Sequence, residues 1–320
     1  MNQIPRLRFA HLPTPVEPLP RLSATLGGPP LLVKRDDQTG LALGGNKTRK
    51  LEYLLAEAQA HGARTLITAG AAQSNHCRQT AAAARRYGLD CILVLNGEPQ
   101  PPSGNLLLDI LLGVEIVWTS RERRDADLQA AFQAAWDAGR RPYLIPYGGS
   151  SPTGAAGYVA ALQELLEQGA NPDWIVFASS SGGTHAGLVA GSRLLGYRGQ
   201  VLGISIDEPQ AVLQERVADL ASRTTDLLGE PAAFTPADVL VNADYLGEGY
   251  GIPGALETEA MTLFARHEGL LLDPVYTGRA AGGMIDLIRR NFFPPGSTVL
   301  FWHTGGAPAL FADRYRSLVG

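Results

Sequence analysis

The stretch Trp174-Ile175-Val176-Phe177-Ala178-Ser179-Ser180-Ser181-Gly182-Gly183-Thr184-His185-Ala186-Gly187 starts as an apolar run of strand length and ends in a helical pattern reaching Leu195. An apolar run without alternation is a strand buried on both faces, the situation of a parallel sheet. Between strand and helix stand three serines and two glycines. Hydroxyls, backbone N–H groups and a helix dipole converge there, an arrangement that binds anions and most economically a phosphate. A tight strand-to-helix turn is the plainer reading, but five small or hydroxyl residues in a row exceed what a turn requires. No lysine or arginine is needed at such a cradle.

The same alternation runs outward in both directions. Strands are predicted at Leu31–Lys34, Thr65–Thr68, Cys91–Leu95, Glu115–Trp118, Arg141–Ile145, Trp174–Ala178, Val201–Ile206 and Thr298–Trp302. Helices are predicted at Lys50–His61, Asn75–Tyr87, Asp125–Ala138, Thr153–Gln168, Thr184–Leu195 and Gly278–Arg290, with a further helical stretch from Gln210 to about Leu228. In the first of these Leu51, Leu54, Leu55 and Ala58 share one face. The pattern is α/β, a parallel sheet with helices on both faces. The chain has 320 residues, 45% apolar and 18% charged, with net charge −4, so neither nucleic acid nor a membrane surface is an expected partner. The basic run Arg121–Arg124 reads as a solvated helix start. Cys77 and Cys91 form neither a disulfide framework nor a metal pattern, and no metal is expected. No apolar run reaches the length of a membrane span and the first residues do not read as a signal peptide, so the cytoplasm is the expected compartment.

Three other junctions carry chemistry-bearing residues, placed where parallel sheets bind ligands. In Gly44-Gly45-Asn46-Lys47-Thr48-Arg49-Lys50, a lysine follows two glycines at a helix start. The dipole and partial burial lower its pKa and suit it to Schiff-base chemistry; a solvated lysine in a surface turn has the same local sequence. In Gln73-Ser74-Asn75-His76, Ser74 is either an N-cap or a catalytic hydroxyl, and His76 either a general base or a satisfied structural histidine. Asp273-Pro274-Val275-Tyr276-Thr277-Gly278 and His303-Thr304-Gly305-Gly306 punctuate the last two junctions, where Tyr276 is either acid/base machinery or a packed aromatic.

Taken in order, these motifs resemble the fold-type II pyridoxal-phosphate enzymes, in the branch holding D-cysteine desulfhydrase and 1-aminocyclopropane-1-carboxylate (ACC) deaminase. The similarity also runs through Tyr143–Gly157 and Gly249–Pro253, nearly the whole chain. The resemblance implies pyridoxal 5′-phosphate as cofactor, with Lys47 as its Schiff-base lysine. Ser74, Tyr250 and Tyr276 would be catalytic. Asn46, Asn75, Ser181, Gly182, Gly183, Thr184 and Thr304 would hold the cofactor, and Gln73, Ser74, Asn75, His76 and Thr277 the substrate. It implies a tryptophan synthase β-like fold of two domains: a large cofactor-binding domain from residues 1–47 plus 158–320, and a small one from 48–157, each a largely parallel open sheet flanked by helices, in a homodimer. ACC deaminases carry glutamate and leucine where this chain has Thr277 and Thr304, and both threonines match the desulfhydrase pattern. A hydroxyl cannot ion-pair a pyridinium, which suits β-elimination better than ring opening. The expected reaction converts a small amino acid, first of all D-cysteine, to pyruvate, sulfide and ammonia. ACC deaminase and L-cysteate sulfo-lyase, which tends to have glutamine at the position of His185, are the enzymatic alternatives. A phosphate-metabolite or cofactor-binding protein without turnover is the non-enzymatic one.

Overall fold

The computed structural model describes residues 2–319. The first half of the chain runs β1 (Val16–Pro18), α1 (Pro20–Leu26), β2 (Leu31–Arg35), α2 (Lys47–Ala60), β3 (Thr65–Ala71), α3 (Asn75–Arg86), β4 (Asp90–Asn96), α4 (Gly104–Leu111), β5 (Glu115–Thr119), α5 (Arg124–Asp137), β6 (Pro142–Leu144) and α6 (Pro152–Glu167). The second half continues with β7 (Trp174–Ser179), α7 (Gly183–Leu195), β8 (Gln200–Ser205), α8 (Gln210–Leu227), β9 (Leu240–Asn242), α9 (Ala255–Glu268), α10 (Thr277–Arg289) and β10 (Val299–His303).

The strands form two sheets. One has six strands in the order β1-β2-β10-β7-β8-β9, parallel except for β1 at its edge; the other has four parallel strands in the order β5-β4-β3-β6. Both are open and have helices on both faces, as parallel sheets require. On the larger sheet, α6, α7 and α8 cover one face through Leu162, Leu188 and Val217, and α1, α9 and α10 cover the other through Leu22, Phe264 and Ile285. On the smaller sheet, Leu51, Leu54 and Leu55 of α2 and Ala81 of α3 pack one face, and Ala135 of α5 closes the other over Ile67 and Ile92.

All eight predicted strands and all seven predicted helical stretches form, with ends displaced by a few residues. The elements absent from the sequence reading are β1, β9, α1, α4 and α9. Strands β1 and β9 are edge strands three residues long, too short for any periodicity. Helix α4 is apolar around much of its circumference (Leu106, Leu107, Leu108, Ile110, Leu111), so its face was not readable as a stripe.

The parallel arrangement decides where the site is. The carboxyl ends of β3, β7 and β10 lead into Ser74, the Ser179–Gly183 turn and Thr304, so segments far apart in sequence meet at one cleft.

Candidate active site

Lys47 is the first residue of α2 and emerges from a turn that the backbone strongly constrains. Ala42, Leu43, Gly44 and Gly45 all have positive φ, at 42°, 70°, 67° and 127°. A Cβ on Gly44 would lie 1.9 Å from the carbonyl oxygen of Asp37, so only glycine fits there. The Gly45 N–H donates to the Asp36 carbonyl at 2.9 Å and to Thr39 Oγ1 at 2.8 Å, and the Asn46 N–H donates to the Thr304 carbonyl at 3.0 Å. Thus β2, α2 and the end of β10 are fastened together directly before the lysine. Its Nζ donates to Asn46 Oδ1 at 3.0 Å. Burial first, and the Arg78 cation second, lower the amine to about 8, against the opposing field of Asp273. The solvated-lysine reading is excluded by this placement.

The Ser181–Thr184 turn expected to cradle an anion has a neighbour that the sequence reading left out. Gly182 takes φ 90° and α7 starts at Gly183. Ser150 Oγ donates to Ser181 Oγ at 2.8 Å and accepts the Gly183 N–H at 3.0 Å. Asn46 Nδ2 donates to Thr184 Oγ1 at 3.0 Å, joining the lysine turn to the cradle. That neighbour is Lys50. It is buried, donates to the Gly148 carbonyl at 3.1 Å, and its Nζ would stand 2.9 Å from a Cβ placed on Gly183. Lys50 lies three residues after Lys47, hence on the same helix face; that spacing was the available signal. Burial, then Lys47, push its amine well below the ordinary lysine value. An anion in the cradle would reverse that.

Ser74 is the N-cap of α3 and its Oγ accepts the Cys77 N–H at 3.2 Å, and it also lines the cleft. Asn75 lines the cleft and its Oδ1 accepts from Arg78 Nη1 at 2.9 Å and Asn105 Nδ2 at 3.1 Å. His76 is in the first turn of α3. Thr68 Oγ1 donates to the Ile145 carbonyl and lies 2.9 Å from His76 Nε2, so the ring carries its proton on Nε2. Burial and the two lysines keep it neutral. Tyr276 lines the cleft and its Oη lies 2.5 Å from that of Tyr250, the rings edge to face. Burial raises both phenols above their ordinary value, so they act as neutral hydroxyls.

Two expected substrate residues are not among those lining the cleft. The Gln73 amide is occupied by the Ser103 carbonyl and the Asn105 N–H, both at 2.9 Å. Thr277 is fully buried, its Oγ1 donating to Asp273 Oδ1 and accepting the Asp273 N–H, both at 2.7 Å. Asp273 also takes the N–H groups of Val275, Tyr276 and Thr277, capping α10 and fixing Tyr276. Thr304 does line the cleft, as does Tyr147, which the sequence reading left out; Arg124 stacks over the Tyr147 ring at 5.3 Å. No aspartate or glutamate lines the cleft among the described residues.

A lysine amine held near 8 and an anion cradle backed by a buried cation fit a phosphate-bearing aldehyde. Known proteins agree. The family described as pyridoxal-phosphate dependent enzyme matches residues 7–305. D-cysteine desulfhydrases of Salmonella choleraesuis and Salmonella typhimurium are each 44% identical over 98% of this chain and 97% of their own length. A solved ACC deaminase homologue superposes with a TM-score of 0.90 at 38% identity, covering 99% of this chain and 97% of that one. A fungal L-serine ammonia-lyase from Rhizomucor miehei shares the fold at a TM-score of 0.70 and 18% identity, over 97% of this chain and 99% of that one. The chain therefore belongs to the pyridoxal-phosphate dependent enzyme family, with the fold-type II architecture and the cofactor that membership brings.

Proposed function

We propose that the protein is a carbon–sulfur lyase that converts D-cysteine and water to pyruvate, sulfide and ammonia. The observation that carries the reading is Lys47: an amine held near 8, at the mouth of an anion cradle backed by Lys50, in a cleft without a carboxylate. The 44% identity to desulfhydrases over nearly the full chain supports the choice of substrate.

Residue roles follow from placement. Lys47 would hold the cofactor at its carbonyl carbon, and Ser181, Gly182, Gly183, Thr184 and Lys50 would hold its phosphate. Asn46, Asn75 and Thr304 would border its ring. When bound, the cofactor supplies the electron sink for loss of the Cα proton. Lys47, when not bonded to the cofactor, would be the base for that proton, its amine being held below the ordinary lysine value. Ser74, Asn75 and His76, at the N-terminus of α3, receive the substrate carboxylate. Tyr276, polarised by Tyr250, orients the substrate and donates toward the departing sulfur. Gln73 and Thr277 act one layer out, through Asn105 and Asp273.

The cleft's lack of an acid speaks against ACC deaminase, since no carboxylate among the described residues lines it. Against L-cysteate stands His185 in the cleft, where the sulfo-lyases tend to have glutamine. We further propose the division into residues 1–47 plus 158–320 and 48–157, a homodimer, and a cytoplasmic site of action. No described helix is long and apolar enough to cross a membrane. The decisive assay offers D- and L-cysteine, ACC, L-cysteate and D-serine, and measures pyruvate, 2-oxobutyrate, sulfide and sulfite. Sulfide and pyruvate from D-cysteine are expected; sulfite from L-cysteate or 2-oxobutyrate from ACC as the main product overturns the reading.

A further inference from the structure

Arg78, on α3 one turn after Asn75, is fully buried and the mechanism makes no use of it. Its guanidinium reaches three groups. Nη1 donates to Asn75 Oδ1 at 2.9 Å and to Asn105 Oδ1 at 2.7 Å, and Nη2 donates to the Gly44 carbonyl at 2.7 Å. Gly44 belongs to the strained turn that presents Lys47. Asn75 lines the cleft, and both lone pairs of its Oδ1 are taken, by Arg78 and by Asn105 Nδ2. Its amide N–H2 therefore has a fixed direction, away from both donors, and has no protein acceptor among the described residues.

A buried arginine normally sits on a carboxylate. Here the nearest candidates are Asp109 and Asp273, and neither is hydrogen-bonded to the guanidinium; Arg78 Nε and both Asp109 oxygens lack partners. Three neutral acceptors hold the charge instead, and every one belongs to, or directly supports, the cofactor cleft. An arginine needed only for stability gains nothing from that choice.

We infer that Arg78 is a positioning residue for the cofactor site: it locks the Asn75 carboxamide with its N–H2 donor turned to the cleft, and it clamps the Gly44–Gly45 turn that carries Lys47. This rests on Asn75 bordering the cofactor ring. The same uncompensated cation faces Lys47, alongside Lys50, His76 and Asp273, and works with burial to keep that amine less basic.

The test uses the full chain stripped of cofactor and titrated back with pyridoxal phosphate, following the absorbance of the lysine-bound form. Arg78→Lys keeps the charge and loses the fork geometry. It should weaken cofactor binding about tenfold, the size of one charge-assisted hydrogen bond, and the loss should shrink when Arg78→Lys is combined with Asn75→Ala, the remainder belonging to the Gly44 clamp. The second readout is the pH profile of Lys47 acylation in cofactor-free protein, read by mass spectrometry. Its midpoint stays in place in Arg78→Lys and moves to higher pH in Arg78→Met. If Arg78→Met fails to fold, the Arg78→Lys cycle still decides. Cofactor binding unchanged in Arg78→Lys or in Asn75→Ala, or an equal loss with and without Asn75, overturns the inference. Neither readout involves a substrate, so a failed desulfhydrase assay and a failed positioning test remain separate results.

Discussion

At Lys47 the fold opposes the ordinary chemistry of lysine. In the unfolded chain the amine keeps its proton up to about pH 10.5, whereas in the fold it releases it near 8. Between those values the unfolded state binds more protons, so stability of cofactor-free protein rises with pH across that window. Lys47→Ala should flatten that rise and, at pH 7, stabilise the cofactor-free chain by ~1–2 kcal/mol, allowing for the partly exposed side chain; urea titrations at pH 7 and 9.5 measure both. The same variant should lack the absorbance band of lysine-bound cofactor and all lyase activity. At the tyrosines, Tyr276→Phe should lower kcat by about 10². Tyr250→Phe should lower it less, because Tyr250 acts through the 2.5 Å contact with Tyr276. Equal losses would place Tyr250 on the substrate as well. Much of this residue layer was legible: Lys47, Ser74, Ser181 and Tyr276 stand in motifs that mark themselves by composition. Lys50 and Arg78 were not, because a cation one turn along a helix reads as an exposed charge until the opposite wall of the cleft is known.

At the scale of elements, two helix starts do double duty. Ser74 caps α3 and lines the cleft, so Ser74→Ala should cost about 1 kcal/mol of stability, a fall in Tm of ~2–3 °C for a chain of this size, in addition to its loss of activity. Ser74→Asp or Ser74→Asn, which still cap, should restore the Tm without restoring kcat; recovery of both would reduce Ser74 to a cap. Gly183 opens α7 with ordinary helical backbone, so alanine there meets no conformational objection. Its methyl would stand 2.6 Å from Ser150 Oγ and 2.9 Å from Lys50 Nζ. Gly183→Ala should therefore fold and bind cofactor about tenfold or more weakly, as overpacking of ~1–3 kcal/mol implies. A titration showing unchanged affinity would remove the cradle from the phosphate. The buried strands and the amphipathic helices were legible because burial on two faces or on one leaves different periodicities. The three-residue edge strands and the apolar α4 lack a period, and only their neighbours define them.

At the scale of the molecule, strand order carries the lesson: β10 lies between β2 and β7, pairing Val299 with both Leu31 and Trp174, and no local pattern encodes so distant a pairing. What holds those distant parts in register is a buried ionic cluster directly beneath the site. Arg49, two residues after Lys47, forks onto Asp36 at 2.8 Å and onto Glu164 at 2.8 Å; Lys34 reaches Glu164 at 2.6 Å, and Tyr158 donates to Asp36 at 2.6 Å. The cluster joins β2, α2 and α6, so the helix that carries the active lysine is fixed to the larger sheet by charge as well as packing. Despite the desolvation of burial, Arg49 holds Asp36 below its ordinary value, and Arg49 with Lys34 does the same to Glu164. Depressed carboxyl values stabilise the fold above the unfolded pKa values of about 4 and lose that contribution as pH falls below them. Asp36→Asn leaves Arg49 buried and half compensated, so it should cost ~3–5 kcal/mol at pH 7 and less at pH 3, below the unfolded carboxyl values, where the parent's own electrostatic advantage is shrinking. Denaturant titrations of parent and variant at pH 7, 5 and 3 test this. Curves that stay parallel down to pH 3 would mean the cluster packs the interior without holding the two sheets together electrostatically, and the position of Lys47 would then rest on the turn at Gly44 and Gly45 alone.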